Sequence, residues 1–135
     1  DECDRHNEHL REKYDLMAKN ELRYEEIQCD DAEVVITAYG TPARIALTAI
    51  ETLRAEGLKV GLFRPITLWP FPVAEFQRAA KTAKSFLCVE MSMGQMVDDV
   101  RLASAGRVPV EFFGRTGGII PTPKEVLGEI KKLLK

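Results

Sequence analysis

Hydrophobic positions along the chain alternate between short strand-like runs and longer faces with helical spacing. Residues 34–39 are β-branched and aromatic, which is typical of a buried strand. Gly40 ends this run, and apolar residues then recur at helical spacing as far as Gly57. The predicted inward face comprises Ala43, Ala46, Leu47, Ile50 and Leu53. Thr41 and Pro42 are expected to be the N-cap and the first residue of this helix.

The same alternation of strand and helix repeats three more times along the chain. Strands are predicted at 59–63, 85–90 and 108–113, and helices from about Pro72, over 95–103 and over 124–134. The inward faces of the first and last of these helices are Val73, Phe76, Ala79 and Ala80, and Val126, Leu127, Ile130, Leu133 and Leu134. Four strand–helix cycles indicate an α/β domain with a mostly parallel sheet and helices on both faces.

The first twenty residues differ from the rest because they are highly charged and contain few apolar side chains. Leu10, Tyr14 and Met17 form a narrow stripe on a predicted helix, which needs something to lie against. We interpret residues 1–20 as a linker helix that follows a missing domain, and residues 21–135 as the domain itself. The chain begins without methionine, so we expect a piece of a longer polypeptide.

Composition and charge narrow the classes of partner and compartment. Nineteen basic and 21 acidic residues give a net charge of −2, and no basic stripe predicts a nucleic-acid partner. The apolar runs are too short for a membrane-spanning helix. Three widely spaced cysteines, Cys3, Cys29 and Cys88, do not predict a disulfide framework, and a cytoplasmic location is expected.

Candidate chemistry is expected at the carboxyl ends of the parallel strands, where ligands and partners meet an α/β sheet. The loops there are residues 40–42, 64–67, 90–92 and 114–118. One interpretation is an anion or partner site built from Thr41, Arg64, Ser92 and Arg115. The other is ordinary helix capping together with a buried ion pair between Arg64 and Glu90.

Several catalytic motifs are absent or incomplete. The loop after the first long strand has no Gly-x-Gly-x-x-Gly pattern, and the sequence contains no Walker A loop. Asp98 and Asp99 are neighbours on a helix, so we expect two solvated charges rather than an acid–base pair. Cys3, His6 and His9 have ligand-like spacing, but structural zinc normally takes four ligands. We therefore expect an unliganded terminal segment.

Two apolar loop clusters each allow two interpretations. Trp69, close to Phe71, is either a core plug or an exposed subunit contact. Met91, Met93 and Met96 suit either an adaptable contact surface or an irregular gap in the core.

Taken together, four segments resemble the alpha subunit of 2-oxoacid:ferredoxin oxidoreductases, of the branched-chain (2-oxoisovalerate) or 2-oxoglutarate type. They are residues 34–46 (VVITAYGTPARIA), 59–72 (KVGLFRPITLWPFP), 89–103 (VEMSMGQMVDDVRLA) and 112–123 (FFGRTGGIIPTP). Residues 6–27 are similar to the helix and strand that lead into the same domain. The four segments together are specific for this family, whereas any one of them alone would be weak evidence for it.

The resemblance implies a transketolase C-terminal-like domain, a three-layer α/β/α fold whose five-stranded, mostly parallel sheet has an antiparallel first strand. That strand would lie within residues 21–28, which alternate poorly. In the family, thiamine diphosphate with magnesium supports decarboxylation of the 2-oxoacid, iron–sulfur clusters pass electrons to ferredoxin, and coenzyme A takes the acyl group. The implied partners are a thiamine-binding beta subunit, a gamma subunit and a ferredoxin-like subunit.

This chain has neither the Gly-Asp-Gly motif for magnesium diphosphate nor a Cys-x-x-Cys cluster motif. The resemblance therefore implies an assembly domain that is inactive alone and has no catalytic, cofactor-binding or metal-binding residue. The candidate strand-end and interface residues are Thr41, Arg64, Thr67, Trp69, Phe71, Glu90, Ser92, Gln95, Arg115 and Thr116. The alternatives are the matching domain of a transketolase or of a pyruvate dehydrogenase beta chain, or a free-standing α/β ligand-binding or interaction module.

Overall fold

A computed structural model describes all of residues 1–135 and contains five strands and five helices. In chain order they are α1 (Glu2–Asn20), β1 (Tyr24–Ile27), β2 (Val34–Thr37), α2 (Gly40–Ala55), β3 (Val60–Pro65), α3 (Val73–Ala79), β4 (Ser85–Glu90), α4 (Met96–Ser104), β5 (Val110–Gly114) and α5 (Pro123–Leu133). Each strand and helix expected from the hydrophobic pattern is present, with its ends displaced by a few residues.

The strands form one sheet in the order β1-β3-β2-β4-β5. β1 runs antiparallel to β3, whereas the other neighbouring strands are parallel. The expected five-stranded, mostly parallel sheet with an antiparallel first strand is therefore confirmed. The poorly alternating segment at 21–28 contains β1, which lies at an edge and is only partly buried.

Helices cover both faces of the sheet, as the expected three-layer architecture requires. α2 and α5 pack together on one face, and α3 and α4 pack together on the other. Every residue of β2 and β4 is buried, which explains why these strands are nearly continuous apolar runs. The core beneath α3 and α4 is aromatic and contains Phe63, Phe76 and Phe86, whereas small alanines of α2 pack on the opposite face.

Two local expectations about the helices are wrong. α2 begins at Gly40 with Tyr39 as its N-cap, so Thr41 lies inside the first turn. Gly40 adopts φ +58°, which lets the chain turn into the helix directly after the strand. Val73 is 44% exposed although it was expected to face inward. It is the first residue of α3, and the buried face begins one turn later at Phe76.

α1 lies outside the layered core, and none of its residues is buried. Its principal aromatic contact is an edge-to-face pair between Tyr14 and Trp69, whose ring centroids are 5.5 Å apart. The predicted helix is thus confirmed, and its interpretation as a linker stays a prediction. None of the five helices combines the length and apolar character needed to cross a bilayer.

Candidate functional site

The neighbouring parallel strands β2 and β4 mark the point at which the chain reverses its direction across the sheet. From β2 it continues through α2 on one face to β3, and from β4 through α4 on the other face to β5. Ligands of open α/β sheets bind in the crevice that opens at such a point. A cleft of about 230 Å³ lies here, which we call the switch crevice. It is lined by Tyr39, Gly40, Thr41, Pro42, Glu90, Met91, Ser92 and Gln95.

Glu90, the last residue of β4, is 2% exposed and places a carboxylate beside this crevice. The carboxylate accepts a hydrogen bond from the Ser92 hydroxyl at 3.0 Å. It also accepts the backbone N–H groups of Gln95, Met96 and Val97 at 3.2, 3.1 and 3.0 Å. These amides belong to the N-cap and first turn of α4, where the helix dipole favours negative charge. Glu90 is therefore satisfied without a cationic side chain.

The expected buried pair between Arg64 and Glu90 is wrong. Arg64 instead forms an ion pair with Glu25 at 3.1 Å, with both side chains more than 40% exposed. The antiparallel register places Glu25 on β1 directly opposite Arg64 on β3, whereas β2 separates β3 from β4. Such an exposed cross-strand pair contributes about 0–1 kcal/mol to stability.

All three cysteines are free thiols, and two of them are buried. Burial, reinforced by the negative charge of Glu90, raises the pKa of Cys88 far above its ordinary value. Burial likewise raises the pKa of Cys29 to about 12. Both thiols therefore stay protonated near neutral pH, whereas nucleophilic attack or metal binding needs a thiolate. Cys3 is exposed on α1.

Arg115 anchors the loop after β5 to the start of α5 and is not among the residues that line the switch crevice. Its guanidinium forms an ion pair with Glu125 and lies 5.4 Å from the ring centre of Phe113. Glu125 also accepts the Thr122 backbone N–H at 2.8 Å and completes a capping box with that residue. The Thr122 amide, followed by Arg115, lowers the pKa of Glu125 to about 2.

The loop between β3 and α3 contains the remaining aromatic candidates. Thr67 donates its hydroxyl to the Pro70 carbonyl at 2.9 Å and accepts the Arg23 N–H at 3.1 Å. Trp69 is 54% exposed, which excludes the core-plug interpretation. Phe71 is half-buried and stacks on Phe76 with ring centres 5.2 Å apart.

The structure divides the ten candidate residues into three groups. Thr41, Glu90, Ser92 and Gln95 line the switch crevice. Arg64, Thr67, Trp69 and Phe71 lie on β3 and its following loop, and Arg115 and Thr116 follow β5. Neither arginine lines the crevice with which one interpretation combined them, although the Arg115 backbone N–H donates to the Glu90 carbonyl at 3.1 Å.

Asp98 and Asp99 are exposed on α4, as expected. Met91 and Met93 are 41% and 85% exposed, whereas Met96 is buried in the core, so each interpretation of the methionines holds for part of the cluster. No three His, Cys, Asp or Glu side chains are grouped in a way that could hold a metal ion.

Sequence reasoning missed two features of the crevice. Tyr39 and Pro42 were not candidates, although Tyr39 directly precedes Gly40 and Pro42 lies in the expected strand-end loop 40–42. The bonding of Glu90 to α4 was also missed. A glutamate at a strand end, five residues before a helix N-cap, is the pattern that could have indicated it.

Comparison with protein families gives one matching model, "pyruvate:ferredoxin oxidoreductase core domain II", over residues 32–126. The chain is also similar to the ketoisovalerate oxidoreductase subunit VorB of Methanothermobacter thermautotrophicus, with 47% identity over 133 residues. That alignment covers 98% of this chain but 38% of the relative's length. The chain therefore corresponds to well under half of that subunit.

Solved structures give the same fold. The 2-oxoglutarate:ferredoxin oxidoreductase from Magnetococcus marinus, which has 2-oxoglutarate, coenzyme A and succinyl-CoA bound, matches with a TM-score of 0.75 and 27% identity. The match covers 84% of this chain and 20% of that one. A split-gene transketolase, described as an inactive beta4 tetramer, matches with a TM-score of 0.69 over 83% of this chain and 41% of that one. At 20% identity, this second likeness concerns the fold alone.

Proposed function

The chain belongs to the family of pyruvate:ferredoxin oxidoreductase core domain II, and from this premise we propose that it is an assembly domain in the alpha subunit of a 2-oxoacid:ferredoxin oxidoreductase. The complete enzyme would convert a 2-oxoacid to an acyl-CoA and reduce ferredoxin. The observation that carries this proposal is the 47% identity to a ketoisovalerate oxidoreductase subunit across 98% of the chain.

A branched-chain 2-oxoacid is the substrate class we propose for the complete enzyme. The relative named for ketoisovalerate is 47% identical over 98% of this chain, whereas a relative named for 2-oxoglutarate is 39% identical over 75% of it. The free thiols also favour a reducing, cytoplasmic setting.

The residues of this chain do not fit an iron–sulfur cluster or a magnesium site. An iron–sulfur cluster takes four thiolate ligands, whereas this chain has three cysteines, two of them buried and held protonated. Magnesium takes carboxylate oxygens, but the buried carboxylate of Glu90 is occupied by backbone donors. We propose that thiamine diphosphate, magnesium, the clusters and coenzyme A are held by the rest of the complex. Its parts would be a thiamine-binding beta subunit, a gamma subunit and a ferredoxin-like subunit.

Two loops are the surfaces through which we expect this domain to contact the complex. The loop from Arg64 to Pro72 exposes Trp69. The loop from Gly114 to Gly118 contains Arg115, which forms an ion pair with Glu125. Tryptophan and arginine are enriched among the residues that dominate binding energy at interfaces. Ile119 and Ile120, which follow the second loop, are 60% and 54% exposed and extend its apolar area.

The first experiment separates a catalytic chain from an assembly domain. The chain alone is titrated with thiamine diphosphate and magnesium by calorimetry and is assayed for viologen reduction driven by 2-oxoisovalerate or 2-oxoglutarate. We expect neither saturable binding nor turnover until the complete alpha subunit is coexpressed with its partners. Micromolar binding or turnover by the chain alone would contradict the proposal.

The second experiment tests the two loops in the coexpressed complex. We expect the double substitution Trp69→Ala and Arg115→Ala to reduce the yield of assembled complex in a pull-down. Leu102→Ala is the matched control, because Leu102 is 79% exposed and lies on α4, outside both loops. Unchanged assembly in the double variant would remove these loops from the interface.

A further inference from the structure

Open α/β sheets commonly place an anionic group of a ligand against a helix N-terminus at the switch point. In this chain the helix N-terminus that follows β4 is already occupied by a carboxylate from the chain itself. Glu90 ends β4, and its side chain folds onto the first turn of α4, where it is almost completely shielded from solvent.

Both oxygens of this carboxylate are bonded. Oε2 accepts the Ser92 hydroxyl at 3.0 Å and the Met96 N–H at 3.1 Å. Oε1 accepts the Val97 N–H at 3.0 Å, and the Gln95 N–H lies within 3.3 Å of both oxygens. The N–H groups at the start of a helix usually lack a partner within the helix, and here three of them are hydrogen-bonded to Glu90.

The loop between Glu90 and α4 is built around the same carboxylate. Ser92, which donates to Glu90, also accepts the Gly94 N–H at 3.0 Å. Gly94 adopts φ +107°, a conformation that favours glycine. The Ser92 carbonyl packs so closely on Gly114 that a Cβ at that glycine would lie 2.4 Å from it. The loop is therefore bonded to the carboxylate on one side and packed against β5 on the other.

We propose that Glu90 is a resident anion, a positioning residue that takes the place of a ligand's anionic group and fixes the loop Met91–Gln95 as one wall of the switch crevice. It follows that the α4 side of the crevice has no vacant anion site in the native chain. An external carboxylate can bind there only after the Glu90 side chain has been removed. This inference goes beyond the assembly role and does not depend on it.

The test is rescue of Glu90→Ala by formate, the smallest carboxylate. Thermal unfolding of the chain is followed while sodium formate replaces sodium chloride at constant ionic strength, with neutral formamide as a shape control. We expect the unfolding midpoint of Glu90→Ala to rise with formate and to saturate, since a ligand that binds only the folded state stabilises it. Formamide should have no such effect, and the wild-type chain should not respond to formate.

Glu25→Ala is the matched control variant, because it removes an exposed carboxylate that pairs with Arg64. Its midpoint should not respond to formate. A formate response equal in both variants, or a response of Glu90→Ala to formamide equal to its response to formate, would overturn the proposal. A merely structural glutamate would produce the loss of stability without the saturable rescue.

Hydrogen exchange keeps the proposal testable if Glu90→Ala does not fold. In the wild-type chain, the amides of Gln95, Met96 and Val97 should exchange as slowly as those of β4. The first-turn amides of α2 at Gly40 and Thr41 are the internal reference, because that helix has no side-chain cap. In Glu90→Gln, protection of the three α4 amides should fall by about tenfold or more. Wild-type exchange as fast as at Gly40 and Thr41 would contradict the proposal.

Discussion

At the residue scale, Arg54 connects α2 to the start of β3 and to the segment between β1 and β2. It extends from α2 and donates to both oxygens of Asp31 at 2.7 and 3.1 Å. It also donates to the carbonyls of Val60 and Gln28, each at 2.7 Å. The Arg54 guanidinium lowers the pKa of Asp31 by hydrogen bonding. With its side chain 20% exposed, Arg54 holds the connection between β1 and β2 against α2 and β3.

Arg54→Ala should therefore lower the free energy of unfolding by about 2–3 kcal/mol, because two carbonyls lose charged donors. Arg54→Lys should restore only part of the loss, since a single ammonium cannot reproduce the forked geometry. Urea denaturation measures both effects. Arg44 on the same helix is exposed, so Arg44→Ala is the control and should stay within about 0.5 kcal/mol of the wild type. Equal losses in the two alanine variants would contradict this role of Arg54.

Glu125 predicts a pH dependence of stability. Its pKa is lowered from 4.5 to about 2 by the Thr122 amide and Arg115, so the folded chain favours the charged carboxylate more than the unfolded chain does. Its stabilising contribution is therefore complete above about pH 4.5 and is lost as the pH falls toward about 2. Glu125→Gln should lower the unfolding midpoint near neutral pH, and its difference from the wild type should shrink across that window. A difference that stays constant down to pH 2 would reject this explanation.

At the scale of single elements, two glycines predict opposite effects of the same substitution. In β3, a Cβ at Gly61 would lie 2.5 Å from the Gln28 carbonyl oxygen, whereas a Cβ at Gly128 in α5 would meet nothing within 4 Å. Gly61→Ala should destabilise the chain by about 1–3 kcal/mol, as overpacking does. Gly128→Ala should stabilise it by about 0.8–1.0 kcal/mol through helix propensity. Chemical denaturation of both variants tests the pair, and changes of the same sign would contradict it.

Secondary structure was predictable because β2 and β4 are buried on both faces, while the helices that follow them present apolar residues every three to four positions. The start of α2 was not, because the helix begins at Gly40 with φ +58° and its N-cap, Tyr39, makes no side-chain hydrogen bond. The partner of Arg64 depends on sheet order rather than on local pattern. An extra edge strand was expected, but nothing in the hydrophobic spacing indicated that it pairs with β3 and places Glu25 opposite Arg64.

For the candidate site, the position of the loops was predictable but the contacts of their side chains were not. Parallel strands bring their carboxyl ends to one edge, so the loops containing Thr41, Glu90 and Ser92 could be grouped from the sequence. The role of Glu90 could not, because it depends on the angle at which α4 returns toward the sheet. That angle presents three backbone amides to one carboxylate.

At the scale of the whole molecule, the two hydrophobic cores share the strands of the sheet, whereas α1 contributes to neither core. Alternate residues of β2 and β4 point into opposite cores, as Val35 and Ile36 do on β2, so neither core can open without disrupting the shared strands. α1 has no buried residue, and its Tyr14 packs edge-to-face against Trp69 of the domain. The chain should therefore contain one cooperative unit and one weakly held helix.

This division yields a prediction for residues 1–20 and 21–135. Limited proteolysis should remove about the first twenty residues and leave a resistant core, because the free energy needed to expose α1 is small. Trp69 is the sole tryptophan and contacts Tyr14, so its emission should shift to the red when residues 1–20 are deleted.

Tyr14→Ala in the intact chain should give a smaller shift of the same sign, which separates loss of the ring contact from loss of the helix. The unfolding transition of the core, followed by far-ultraviolet circular dichroism, should keep its midpoint in both variants. Early cleavage within β3 or β4 would contradict this prediction, because the sheet would then open before α1 is removed. A large fall in the core midpoint on deletion would show that α1 is an integral part of the domain, because only a helix coupled to the shared strands could change their cooperative transition.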